Sequence, residues 1–215
     1  SKVIVNDETE NSTLRSLASI TTTYRRSYNS GPNVYNEMEA LTSPDIMKIV
    51  ASRLGLETSY TAKQFMRTRE LYSSTPVVMT LCGDNPTSSF SFEVKRTGDD
   101  EVLLRRFKVS GKDIGSQAVR GHLGDSLSTP FGNIILTPTS YIDDWKNDII
   151  VSWVNATVLS RGLAARLNAT LSGKESSVVI LSYTDYFPAR AVAVISSVID
   201  VYNEEWIHNK NRNAR

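Results

Sequence analysis

His122, Asp125 and Ser126 are the residue types of a nucleophilic triad and lie within five positions of one another. A triad needs three side chains that converge in space, with the base between nucleophile and carboxylate. Neighbours on one loop do not converge in that way, so the group is read as a loop feature. Carboxylates gather at Asp99-Asp100-Glu101 and at Asp143-Asp144. Paired carboxylates can act as acid and base, or hold a hard cation. Both groups fall in predicted turns, where Asp is favoured because its side chain bonds the local backbone. Solvated turns are the expectation for both. Cys82, the one cysteine, ends an apolar run and is expected to be a buried, inert thiol. One cysteine and two histidines, His122 and His208, leave no intrachain disulfide framework and no multi-cysteine zinc site. His208 is expected in solvent.

Gly111, Gly115, Gly121 and Gly124 do not end in the Gly-Lys-Ser/Thr that cradles phosphate, and no buried strand leads from them into a helix. Trp145, Trp153 and Trp206 are too dispersed to form a stacking platform: the first two are expected to pack locally and the third to face an interface. The triplets at Asn11, Asn155 and Asn168 match the glycosylation pattern and are read as incidental. No catalytic residue, metal ligand or cofactor site is assigned.

The elements that would position these residues are ordinary for a globular chain. Of 215 residues, 40% are hydrophobic and 22% charged, with a net charge of +1. That composition supports a packed core and gives no electrostatic case for nucleic acid. No apolar run approaches the ~20 residues of a membrane span, and no signal peptide is visible.

Lys2–Asn6 reads as a strand and Asp7–Tyr28 as a loop or irregular short helix, with a break at Gly31-Pro32. A short helix over Asn33–Leu41 precedes a better marked one. There Ser43 is the N-cap, Pro44 the first helical residue, and Asp45 lies at the positive end. Ile46, Ile49, Val50 and Leu54 form its apolar face, and Gly55 ends it. A further helix is expected over Lys63–Tyr72. Val77–Cys82 reads as a strand buried on both faces. Ser89–Arg96 and Glu101–Val109 form a hairpin around Thr97-Gly98-Asp99-Asp100. Gly111–Asp125 reads as a loop, Phe131–Thr137 and Asp148–Val154 as strands, and Asn155–Leu171 as a helix. A buried strand follows at Val178–Ser182. Beyond Pro188 a long helix carries Val192, Ile195, Val198, Ile199, Tyr202 and Trp206 on its apolar side and turns polar from Asn203. The order predicts an α+β fold: a mixed sheet packed by helices, a β-hairpin insertion and a long C-terminal helix. The span 1–215 reads as a single domain.

Three segments resemble one family. Asn36-Glu37-Met38-Glu39-Ala40-Leu41-Thr42-Ser43, continuing through Ile49–Leu56, is similar to its N-E-x-E-x-L-x-S … V-x-x-L-x-L helix pair. Glu70-Leu71-Tyr72-Ser73-Ser74-Thr75-Pro76-Val77 is similar to its E-L-Y-x-x-S-P-I lead into a central strand, with Thr75 where Ser is usual. Ile180–Ala191, running on to Val201-Tyr202-Asn203, is similar to its I-x-L-S-x-x-D-x-x-P-x-x-A … Y-N strand-to-helix junction. The family is the Wzz-type polysaccharide chain-length determinants, or co-polymerases, which includes the extracytoplasmic domain of Wzc-like bacterial tyrosine autokinases. The resemblance implies a periplasmic domain of an inner-membrane protein, held between two flanking spans as part of a longer chain. It implies homo-oligomeric rings that set the length and export of capsular or exopolysaccharide together with polymerase and export partners. It implies no catalysis within 1–215, since a family kinase would be a separate cytoplasmic unit. Asn203–Arg215 is a subunit-contact candidate on this reading, or else a solvated terminus.

Two rival readings make different demands. A ligand-sensing extracytoplasmic domain of a signalling receptor requires a pre-formed pocket with convergent polar groups. A glycan hydrolase requires paired carboxylates across a cleft, which the turn positions of Asp99, Asp100, Asp143 and Asp144 disfavour.

Overall fold

The computed structural model describes residues 2–6, 18–25, 33–64, 67–84, 86–173 and 178–213. In chain order the elements are β1 (Lys2–Asn6), β2 (Ala18–Arg25), α1 (Asn33–Leu41), α2 (Pro44–Arg53), β3 (Thr58–Gln64), β4 (Arg67–Glu70) and β5 (Val77–Cys82). They continue with β6 (Phe90–Arg96), β7 (Glu101–Val109), β8 (Lys112–Asp113), β9 (Val119–His122), β10 (Ser126–Thr129), β11 (Gly132–Pro138) and β12 (Ile149–Trp153). Last come α3 (Ala156–Ala164), β13 (Leu167–Leu171), β14 (Val178–Asp185) and α4 (Pro188–Asn213). The fold is α+β, ends in a long helix, and pairs all its described strands antiparallel. Two compact units emerge: residues 1–55 with 156–215, and residues 56–155.

In the first unit, four strands run in the order β1-β2-β14-β13. The central strand β14 alternates, burying Val179, Leu181, Tyr183 and Asp185 on one side. Against it α4 buries Ala191, Val194, Ile195, Val198, Val201 and Tyr202. α2 packs on α3 and α4, while α1 packs on α4 and β13. The start of α2 is as its sequence predicts: the Ser43 side chain accepts the Ile46 N–H at 3.3 Å, with Pro44 next. Gly55 lies just past the helix at φ +61°, a left-handed conformation that glycine adopts without a Cβ penalty. The buried face of α2 is Ile46, Met47, Val50 and Ala51, and Ile49 is exposed.

The second unit has two sheets. One orders its strands β4-β3-β12-β6-β7-β8, with β9 also on β7; the other is β10-β11-β5. Their inner faces share one core, including Phe92, Leu104, Phe107, Ile149 and Val151 from the larger sheet and Val77, Ile134 and Leu136 from the smaller. Phe90 stacks on Phe131, Trp153 and Phe92 at centroid distances of 4.2, 5.5 and 6.3 Å. Tyr60 of β3 reaches across, its hydroxyl accepting the Met79 N–H of β5 at 2.8 Å. The bond satisfies a backbone donor on the side of β5 that no strand pairs.

Several sequence expectations are corrected. The helix expected over Lys63–Tyr72 is a hairpin, β3 with β4, ending in a 3-10 turn at Tyr72–Ser74. Alternation through Thr58, Tyr60 and Ala62 sets β3 against β12, pairing Tyr60 with Val151, and that pairing outweighs local helix propensity. The region Asp7–Tyr28 holds β2, a β-branched run through Ile20-Thr21-Thr22-Thr23 between β1 and β14; its other residues, and the Gly31-Pro32 break, lie outside the described residues. The helix expected to reach Leu171 stops at Ala164. Leu163 and Leu167 fit a helical stripe, but Leu167 also begins β13 and pairs with Tyr183. Gly111–Asp125 contains β8 and β9 rather than loop alone. β5 buries only one side, leaving Val78 at 42% exposure and Cys82 exposed, so the thiol is free and accessible.

Candidate functional site

The triad-type residues do not assemble. His122 is exposed at the end of β9, and its carbonyl accepts the Asp125 N–H at 3.3 Å in a tight turn before β10. Asp99, Asp100 and Glu101 are exposed in the β6–β7 turn, braced by Arg96 donating to the Gly98 and Asp99 carbonyls. Asp143 and Asp144 lie in a 3-10 turn between β11 and β12. Trp145 and Trp153 pack in the core of the second unit, and Trp206 is half-buried beside Tyr202. Asn155 is half-buried, Asn168 is exposed on β13, and Asn11 lies outside the described residues. His208 is exposed. Among the described residues no group of three or more His, Cys, Asp or Glu is placed to hold a metal ion.

Three arrangements are assembled by the fold instead. The first is on the outer face of the larger sheet, away from the shared core. Glu93 of β6 is 3% exposed there. Its carboxylate accepts from Lys63 Nζ at 2.9 Å and Arg105 Nε at 3.1 Å, with Arg106 Nε at 3.4 Å. Arg105 also reaches Asp148 at 2.8 Å. Adjacent residues of a strand ordinarily point to opposite faces. Here the register between β6 and β7 slips between Ser91 and Glu93, opposite Arg106 at φ +55°. This β-bulge adds a residue to β7, so Arg105 and Arg106 both reach Glu93 while Phe107 returns to the core. Burial pushes the Glu93 carboxyl up. The Lys63 hydrogen bond and the charges of Lys63, Arg105 and Arg106 outweigh that, so it titrates below the ordinary carboxylate range.

A depressed carboxylate stabilises the fold above its unfolded pKa of ~4.3, and that contribution is lost as pH falls through the lower folded value. Glu93→Gln is therefore expected to cost the second unit about 1–3 kcal/mol at pH 7, toward the lower end because Lys63 and Arg106 are solvent-screened. Urea titrations at pH 7 and pH 3 check this. The gap between wild type and variant narrows in acid; an unchanged gap removes the charge from the account.

The second arrangement is the β14–α4 junction of the first unit. The Asp185 side chain is fully buried. It accepts the Phe187 N–H at 3.0 Å, and Arg190 clamps both its oxygens through contacts of 2.7–3.0 Å. Arg166 lies 3.8 Å away. The Arg190 guanidinium also sits 4.9 Å from the centroid of the Phe187 ring. Strand, turn and first helical turn are thus locked together. Further along α4, Glu204 forms a bidentate pair with Arg53 of α2 at 2.6 and 3.0 Å. That hydrogen bond holds the Glu204 carboxyl below its usual range. Within the Asn203–Arg215 candidate, Asn203 is half-buried, Glu205, Ile207 and His208 are exposed, and side chains beyond His208 lie outside the described residues.

The third is a cleft of about 320 Å³ in the second unit, lined among others by Arg69, Tyr141, Asp144, Trp145, Lys146 and Asn147. Asp144 is the only one of the sequence-derived acidic candidates that lines it. The cleft has no signature in the sequence, because Arg69 and Lys146 are far apart in the chain. The bulge did leave a trace: Val102 and Leu104 alternate, and Phe107 then breaks the period of two.

No family model and no curated protein matches this chain.

Proposed function

We propose that this chain is a non-catalytic periplasmic domain of a bacterial inner-membrane polysaccharide co-polymerase. It acts as a homo-oligomeric scaffold that sets the chain length and export of capsular or exopolysaccharide, in concert with polymerase and export partners. The longer protein carries the membrane spans and, in the kinase-linked form, a cytoplasmic tyrosine kinase. Nucleic acid has no part in this reading. One observation carries it: two of the three family-like segments, 36–56 and 180–203, are far apart in sequence yet supply α1, α2, β14 and α4 of one packed unit. Arg53 of the first segment also grips Glu204, the residue just past the second.

The test is genetic. Deleting the coding segment from the chromosome is expected to collapse the modal length of the surface polysaccharide on a gel ladder, and the intact gene to restore it. An unaltered ladder refutes the proposal. A second reading, the sensing domain of a receptor, is favoured by the cleft at Tyr141 and Trp145. It predicts an unaltered ladder and a transcriptional response lost on deletion.

A further inference from the structure

We infer that the cleft between β4 and the 139–147 loop is a subsite for a carboxylate-bearing sugar unit of a glycan chain; the choice of a saccharide rests on the co-polymerase reading. Its volume of about 320 Å³ lies at the small end of the ~300–1,000 Å³ typical of small-ligand sites.

The cleft is built before any ligand arrives. Thr139 anchors the loop, its hydroxyl donating to the Thr75 carbonyl at 2.6 Å and its N–H to the Pro76 carbonyl at 2.9 Å. Arg96 donates to the Ile142 carbonyl at 3.1 Å, and the Trp145 indole N–H to the Asn147 carbonyl at 2.8 Å. Ala62, Pro76, Trp145 and Ile149 are the buried residues of its lining. Such a loop loses little further freedom on binding, which favours affinity.

The lining chemistry selects the ligand. Tyr141, 41% exposed, and the buried Trp145 both line the cleft, so it offers aromatic surface, mainly that of Tyr141, to the C–H face of a sugar ring. The Arg69 and Lys146 side chains make no ion pair or hydrogen bond with any described residue, although Arg96 and Arg105 nearby in the same unit are fully engaged. Two unengaged cations against the single Asp144 carboxylate leave the rim net positive. Arg69 presents a planar fork suited to a carboxylate and Lys146 a point charge. Asp144 and Asn147 supply acceptors and a donor for ring hydroxyls. A neutral sugar would leave both cations without a partner, and a small fully charged anion would leave the aromatic surface uncovered.

The test uses the 215-residue chain, with tetragalacturonate as probe and maltotetraose as its neutral counterpart. Wild type is expected to bind tetragalacturonate saturably, with a shift of the Trp145 indole N–H resonance in nitrogen-15 spectra. The same titration with Arg69→Ala or Lys146→Ala is expected to be about tenfold weaker, the size of one lost charged hydrogen bond. Both residues are exposed, so unchanged far-ultraviolet circular dichroism shows that the variants fold. Three results overturn the subsite: no saturable shift, equal binding of maltotetraose, or binding that neither variant weakens. A glycan ladder that depends on the wild-type gene but is accompanied by any of these defeats the subsite alone. A ladder indifferent to the gene defeats the scaffold reading.

Discussion

Asp185→Ala is expected to destabilise the first unit by about 3–5 kcal/mol, the usual effect of stripping one partner from a buried ion pair. The carboxylate is fully buried and the Arg190 side chain is only 12% exposed, so the guanidinium left behind cannot simply hydrate. The Phe187 N–H at the head of α4 also loses its acceptor. For a unit of this size the change corresponds to a midpoint lowered by on the order of 15 °C or more. Hydrogen exchange read by mass spectrometry checks it: protection falls on β14 and α4 and is retained on β6 and β12. The double variant Asp185→Ala/Arg190→Met regains part of the loss, because it removes the stranded charge rather than adding a contact. No recovery in the double variant would mean that the Asp185 acceptor role at the turn dominates over the ion pair.

Phe92→Ala is the corresponding lesion in the second unit. Phe92 is 1% exposed and sits among Phe90, Phe107 and Phe131, with ring centroids 6.3, 5.9 and 6.4 Å away. Truncation removes the transfer free energy of the ring and leaves a cavity that flanking strands cannot close, at about 3–5 kcal/mol. Phe92→Leu keeps most of the volume and is expected to cost less. Denaturant unfolding of the three proteins gives the order, and hydrogen exchange should confine the loss to the second unit. Equal stability of the Ala and Leu variants would show that the site collapses around either.

Where the chain bears strong local signals, sequence and structure agree. Ser43-Pro44-Asp45 starts a helix, Gly55 ends it, and Phe90, Phe92 and Val94 alternate into a sheet. The α+β class follows from the order of such elements. The misreadings share a cause. Leu163, Leu167 and Leu171 satisfy a helical period, and only the presence of β14 alongside makes Leu167–Leu171 a strand. Likewise Thr58–Gln64 owes its form to β12, ninety residues on in the chain. Cys82 looked buried because its run is apolar, but β5 presents only alternate side chains to the core. The candidate sites were less legible still. Glu93, Lys63 and Arg105 are unremarkable singly, and their meeting depends on three strands and a bulge. In the cleft, Arg69 comes from one hairpin and Tyr141 and Lys146 from a distant loop, a convergence that no local spacing encodes.

The second unit begins and ends at neighbouring backbone, with the Val154 N–H donating to the Glu57 carbonyl at 2.8 Å. It is a contiguous stretch interrupting the first unit, whose β2 pairs with β14 through contacts such as Ile20 with Tyr183. This sets the order of events as the chain emerges from the ribosome. Once residue 155 is out, the second unit has every strand it needs. The first still lacks α3, β13, β14 and α4, and β1 with β2 alone is a two-stranded hairpin, which is marginal in water. The edge of β2 that β14 will cover therefore stays open during that interval. Closing it brings together residues more than 150 positions apart, such as Ile20 with Tyr183, the slow kind of contact to form. The β2 edge is therefore the expected weak point of newborn chains, and a holdase that masks extended β-branched segments would have its window there.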